Sequence, residues 1–426
     1  MSYFEVQTPV HIMRRSSPVL LFAAFIISSG YAHGQSPSSE PSRPRTVSQA
    51  AQQNPKLPQP TIQTGEVATE VDQTKRTAAQ PLQLSPSFIQ TRITEAQRLL
   101  KSKPMATALT TTPSIDFVTI AALDRQTSKT HLVTVSKQTF LTKGAEMNLT
   151  SSLGTPLTIR VLRANGVNTA LTIQTNDGQS LVPLIIEYPI ERNGLFKEMA
   201  YYTSAHPALL SKDLVKSGQS YVRNMIDLAV KRLKDRNVAI SPEIVNVAER
   251  LCLVEHIDHD RFRNENRLAL YDEIYSLYAL NELDTYRYSV STAGAGGMVQ
   301  MIPWAYNLER ARHPGVGLIP DFVTAMRTHA NALQAMLLYM QDTWNELSAN
   351  EDVKYALNAK LATVPELLAA GYNSNAAKLP GYIRRGGDDW KVLIPRETQM
   401  YLQIYKSLEA LVPMKQRTAL TEQAQN

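Results

Sequence analysis

The sequence predicts an α+β protein, a small antiparallel β domain followed by a mainly α-helical C-terminal domain. Three observations carry that expectation. Between about residues 110 and 192, short runs rich in β-branched residues recur, separated by hairpin-type dipeptides. From Pro207 onward, apolar residues fall at helical spacing and helix-start chemistry accompanies them. At 426 residues and 43% hydrophobic content, the chain can build two domains and still carry unstructured segments.

Taken in order, the chain opens with Arg14-Arg15, an apolar run from Pro18 to Ile27, and the small-residue stretch Ser28 to Gly34. This reads as a signal peptide over residues 1–34, because the apolar run is too short to span a bilayer. An uncleaved anchor is the alternative. No cysteine follows the apolar run, so a lipoprotein is not expected and the mature protein is expected in the periplasm. Residues 35–85, rich in Pro, Ser and Gln and free of aromatics, read as a disordered tether that cannot offset its chain entropy by burial.

A short amphipathic helix is expected from Phe88 to Leu100. Strands follow at Ile115–Ala121, His131–Ser136, Leu157–Arg163, Thr169–Thr175 and Leu181–Tyr188. Asn165-Gly166 and Asp177-Gly178 are the turns between neighbours. These make the β domain of residues 110–192. It serves as a spacer or as a docking module for glycan or for envelope proteins. The helical domain covers residues 207–412, and 413–426 are a polar, loose tail. Its helices are expected at Leu214–Asp235, from Ser241 with a side-chain cap and Pro242 in the first turn, and at Asn266–Glu282. Others are expected at Met298–Arg312, Asp321–Leu347, Val353–Ala370 and Arg396–Leu411.

The single cysteine, Cys252, excludes a disulfide framework or a multi-cysteine metal site, and its apolar neighbours predict an inert, buried thiol. The net charge of +6 is scattered and does not indicate nucleic acid. His256-Ile257-Asp258-His259-Asp260 carries ligand-type residues but lacks a defined third ligand, so neither a metal nor any other cofactor is expected.

Chemistry is concentrated between Asn281 and Pro303. Glu282 ends an apolar helical run, a small-residue turn follows at Ala293 to Gly297, and Gln300 lies beyond it. Tyr278, Tyr275 and Tyr271 lie four, seven and eleven residues before Glu282, on one helical face with it. An aromatic wall of that kind would favour the protonated carboxyl that a general acid needs; ordinary core packing is the alternative use of these tyrosines.

The order Glu282, Ser291, Ala293-Gly294-Ala295, Gly297, Gln300, Pro303 resembles the signature of the soluble lytic transglycosylases. Two further segments strengthen the resemblance. Ala369-Ala370-Gly371-Tyr372-Asn373 is similar to that family's A-x-Y-N element, and Pro395-Arg396-Glu397-Thr398 with Tyr401 to its P-x-E-T-x-x-Y element. The resemblance implies a goose-type-lysozyme-like fold over roughly residues 245–410, with Glu282 as sole catalytic acid and base. It also implies that Ser291, Gln300, Tyr372, Asn373 and Glu397, with Tyr278, contact substrate. The implied reaction cleaves the MurNAc-GlcNAc β-1,4 bond of peptidoglycan and leaves 1,6-anhydro ends, because the sugar's own 6-hydroxyl attacks. Leu283, Ile302 and Asn375 depart from the pattern. A hydrolysing muramidase is the near alternative. A degenerate glycan-binding protein, or a structural part of an envelope-spanning secretion machine, is the alternative from outside the enzymes. Trp304 and Trp390 are candidates for stacking on sugar rings.

Overall fold

The computed structural model describes residues 84–102 and 113–418. The signal peptide, nearly all of the tether and the last eight residues of the tail lie outside them. The strands are β1 (Phe117–Leu123), β2 (Thr130–Ser136), β3 (Glu146–Thr150), β4 (Pro156–Arg163), β5 (Ala170–Thr175), β6 (Ser180–Arg192) and β7 (Leu195–Tyr202). The helices are α1 (Pro86–Ser102), α2 (Lys137–Phe140), α3 (Lys212–Lys234), α4 (Pro242–Val254), α5 (His259–Asn264), α6 (Arg267–Asn281) and α7 (Pro303–Arg312). Then come α8 (Phe322–Met326), α9 (His329–Ala349), α10 (Glu351–Asn358), α11 (Val364–Asn373), α12 (Leu379–Gly386), α13 (Trp390–Leu393) and α14 (Arg396–Leu411).

All strand pairs are antiparallel, in the order β2-β1-β6-β5-β4-β3, with β7 also on β6. β4 and β5 alternate buried and exposed residues, as one-sided strands must. β6 is buried continuously from Leu181 to Pro189, because both its faces are covered. Ile186 and Tyr188 join the sheet core with Ile120, Val133 and Ile173, while Val182, Leu184 and Ile185 pack with Ile89, Ala96 and Leu100 of α1. Pro183 cannot donate to the ladder, and the register with β1 shifts beside it, between Ala121 and Ala122.

Two strands carried too little apolar signal to be expected. β3 is an edge strand with no buried residue, and β7 mixes charge with aromatics. Asn193-Gly194, both at positive φ between paired Arg192 and Leu195, was the legible sign of β7.

The helical region holds its own core, centred on α4, α6 and α9. Several boundaries differ from expectation for identifiable reasons. Ser241 does not cap α4 with its side chain; its N–H donates to Gln341 Oε1 at 2.9 Å instead. The run expected as one helix from Val353 is broken by Lys360 at φ +59, and Pro365 then opens α11 with a Thr363–Glu366 capping box. The run expected from Met298 becomes helical only at Pro303, since Gln300 sits at φ +46. The tail is not loose as far as Arg417. That residue bonds Asp227 at 2.8 Å, pairs with Glu249, and exchanges backbone bonds with the Asn246 amide.

Sheet and helices belong to one compact unit. The Asn281 amide accepts from Thr203 N–H at 2.8 Å and donates to Thr203 O at 2.9 Å, clasping the end of β7 to the end of α6. Glu198 of β7 pairs with Arg327 at 2.5 Å and Arg287 at 3.5 Å. The sheet therefore braces the segment that follows α6. Among the described residues, no helix is long and apolar enough to cross a membrane.

Cys252 is fully buried on α4, and burial pushes its thiol pKa up. A thiol reagent should therefore leave the folded protein unmodified and label one site per chain only after unfolding. Prompt labelling of the native protein, read by mass spectrometry, would contradict this packing.

Candidate active site

The segment after α6 doubles back on itself around glycine. Val290 bridges Gly296, and Gly296 bridges Met301. Gly297 N–H donates to Ser289 O and Gly296 N–H to Met301 O, each at 3.0 Å. Gly297 sits at φ +68, and a Cβ there would lie 2.2 Å from the Met326 carbonyl oxygen, so only glycine fits. Ser291 Oγ accepts from Ala295 N–H at 3.0 Å and closes the turn. Gln300 donates from Nε2 to Ser289 Oγ at 3.1 Å and Gly297 O at 2.7 Å, which fixes its amide plane with Oε1 at the opposite end.

One downstream motif reaches this loop, and the other is joined to the first. Tyr372, near the end of α11, donates its hydroxyl to Val299 O at 2.7 Å. Asn373 Oδ1 accepts from Thr398 Oγ1 at 2.8 Å, next to Glu397 on α14. At their junction stands Glu255, which the sequence reading passed over. It is half-buried at the C-terminal end of α4, and Tyr401 donates to its Oε1 at 2.6 Å. The next residue, His256, donates from Nε2 to Met298 O at 3.0 Å and lies flat on the Tyr286 ring, 3.4 Å between centres. Burial holds that imidazole neutral, its pKa lowered to about 3.

The electrostatics single out the same carboxyl. Burial pushes Glu255 up to about 8, and the charge of Glu397 adds to this against the lowering bond from Tyr401. Burial raises Glu397 as well. The phenols of Tyr372 and Tyr401 are pushed up by burial first and by the Glu255 charge second. Tyr401 and Glu397 thus act directly on this acid, whose pKa is raised to about 8, while the adjacent His256 and Tyr372 tie it to the loop at Met298 and Val299.

Glu282 makes none of these bonds. α6 ends at Asn281, and Glu282 turns away at φ +46 into a single 3₁₀ turn, with its side chain exposed. The group that feels its charge is Tyr221, whose phenol is raised by burial first, then by Glu282 and Asp284. Tyr221 donates to His329 Nδ1 at 2.9 Å, because His329 Nε2–H is given to Thr285 O at 2.8 Å.

The aromatic wall expected beside Glu282 is instead core. Tyr278, Tyr275 and Tyr271 are all buried, with the Tyr278 hydroxyl on Cys252 O at 3.1 Å and that of Tyr271 on Ile404 O at 3.3 Å. Tyr278 therefore does not line an open cleft. Helical spacing placed Glu282 above it, but the helix stops one residue too soon for that geometry to hold. Asp284, in the same 3₁₀ turn, pairs with Arg287 at 3.3 Å. Of the two candidate stacking tryptophans, Trp390 is buried with its Nε1–H on Leu361 O at 3.0 Å, while Trp304 is half-exposed at the start of α7. Leu283, Val290 and Ile302 are exposed on the same stretch.

One sign of Glu255 was legible. Like Glu282, it ends an apolar helical run, here Ile244 to Val254. A scan against family models and searches of curated proteins and of solved structures returned no match.

Proposed function

We propose that this protein is a peptidoglycan lytic transglycosylase whose general acid and base is Glu255, in the place that motif spacing assigned to Glu282. What carries the reading is the convergence of three separate motifs on one carboxyl held protonated to about pH 8. The lysozyme-like identity of the helical region and export to the periplasm belong to the same proposal.

In this mechanism the Glu255 carboxyl gives its proton to the glycosidic oxygen, and its carboxylate then takes the proton of the attacking hydroxyl. Tyr401 holds Oε1, so one oxygen is fixed and the other is left to act. Gln300 and Ser291 position the sugar and its acetamido group from the loop, and Trp304 with Ile302 offers an apolar rim. Tyr372 and Asn373 act mainly by holding the loop and α14 in place, since the Tyr372 hydroxyl is already bonded to Val299 O and the Asn373 Oδ1 to Thr398.

A second reading, a hydrolysing muramidase, is favoured by one observation. Glu397 lies close enough to Glu255 to raise its pKa, and hydrolysing glycosidases pair two carboxyls. Digestion of purified sacculi followed by mass spectrometry decides between them. Anhydro-muramyl ends are the expected product, and reducing ends would make the protein a muramidase. Retention on sacculi without soluble product would make it a glycan-binding protein.

A further inference from the structure

Away from this site, α7 and α9 bring three metal-type ligands together. Glu309 and His313 stand one helical turn apart at the end of α7, and Asp342 faces them from α9; one ligand atom from each lies within 4.8 Å of the others. His313 Nε2 is 3.0 Å from Asp342 Oδ2 and 3.6 Å from Glu309 Oε2. Ligands at about 2.0–2.1 Å from a tetrahedral zinc ion stand roughly 3.3–3.4 Å from one another, so this spacing needs little adjustment.

A second, independent observation points to a ligand. The Glu309 side chain is 0% exposed, and no protein N–H donor reaches either of its carboxylate oxygens within hydrogen-bond distance; the polar group set against it is another carboxyl, that of Asp342. A buried carboxylate left so is costly unless something coordinates it or neutralises it. Arg312 approaches it only to 3.9 Å, and shares its guanidinium with Asp342 at 3.5 Å and Glu346 at 3.3 Å. Three carboxyl groups thus face one guanidinium, an arrangement in which a divalent ion would find ligands of opposite charge.

We propose that Glu309, His313 and Asp342 bind a divalent transition-metal ion, with Zn²⁺ the best fit to one imidazole and two carboxylates, and that solvent completes its coordination from the exposed side. His313 and Asp342 are each about one-fifth exposed, so the ion has an entry path. Its role is structural. It fastens the end of α7 to α9, and α7 begins at Pro303, directly after the Ser291–Gln300 loop. The Glu-x-x-x-His spacing on a helix carries no signature alone, and the third ligand comes from twenty-nine residues further on.

The test uses the full chain stripped with a chelator, then titrated with ZnCl₂ and followed by calorimetry and thermal melting. One Zn²⁺ per chain and a raised melting temperature are expected. His313→Gln, at a partly exposed position where folding is safe, should weaken binding by more than the roughly 10–100-fold that loss of a mere supporting group costs. Asp342→Asn should do the same, while His259→Gln should leave binding intact. Glu309→Gln should stabilise the metal-free protein and abolish the zinc-dependent rise. Absence of zinc binding by the wild-type chain overturns the proposal and leaves an ordinary carboxyl pair sharing a proton. Binding that survives His313→Gln places zinc elsewhere and overturns it equally. None of these readouts depends on glycan cleavage.

Discussion

Glu255→Gln is expected to abolish release of soluble muropeptides from sacculi, while Glu282→Gln keeps release within a few-fold of wild type. Loss of general acid–base assistance typically costs on the order of 10²–10⁴-fold. An exposed carboxylate outside the site costs almost nothing. The pH dependence follows from the same residue. In the proposed mechanism the acid form of Glu255 does the first step, so activity should fall as pH rises through about 8. Stability should move with it. The folded-state pKa lies above the ordinary value of 4.5, so between about 4.5 and 8 the folded chain binds more protons than the unfolded one. Stability from this group is therefore fullest below pH 4.5 and is lost as pH climbs to 8. Glutamine carries no charge to bury, so Glu255→Gln should raise the denaturation midpoint at pH 8.5 and change it little at pH 5. Inactive Glu282→Gln beside active Glu255→Gln would return the acid to the position that motif spacing chose.

Gly218→Ala should cost the protein roughly 4 kcal/mol or more, at the upper end of single substitutions. α3 crosses α6 at this glycine, and a Cβ there would lie 1.8 Å from the Tyr275 carbonyl oxygen and 2.5 Å from its carbon. Both are backbone atoms, so no side chain can swing aside and the two helices must separate. Ordinary overpacking, where side chains yield, costs about 1–3 kcal/mol. Helix propensity alone argues the reverse, since alanine is favoured over glycine by about 1 kcal/mol inside a helix. Urea denaturation of the variant discriminates the two. Gly315→Ala, where an added Cβ meets nothing within 4 Å, is the control and should stay within about 0.5 kcal/mol of wild type. A stable Gly218→Ala protein would mean that the helices do not approach so closely.

By itself the sequence determined the local elements. β-Branched runs with Asn165-Gly166 and Asp177-Gly178 between them became β4, β5 and β6, and the apolar periodicity from residue 214 became α3. It also marked the loop of Ser291 and Gln300, because glycine at fixed positions follows from local backbone geometry. Distances between segments were another matter. Motif spacing counts residues along the chain, and Glu282 satisfied it while its helix ended and turned it to solvent. Only packing could show that α4 brings Glu255 beside Tyr401, a residue 146 positions away, and the adjacent His256 to the loop at Met298. The perturbed carboxyl, the Gly218 crossing and the Glu309–His313–Asp342 cluster all arise where separate helices meet. Burial and charge there depend on what the partner helix presents, and no single stretch of sequence contains both sides.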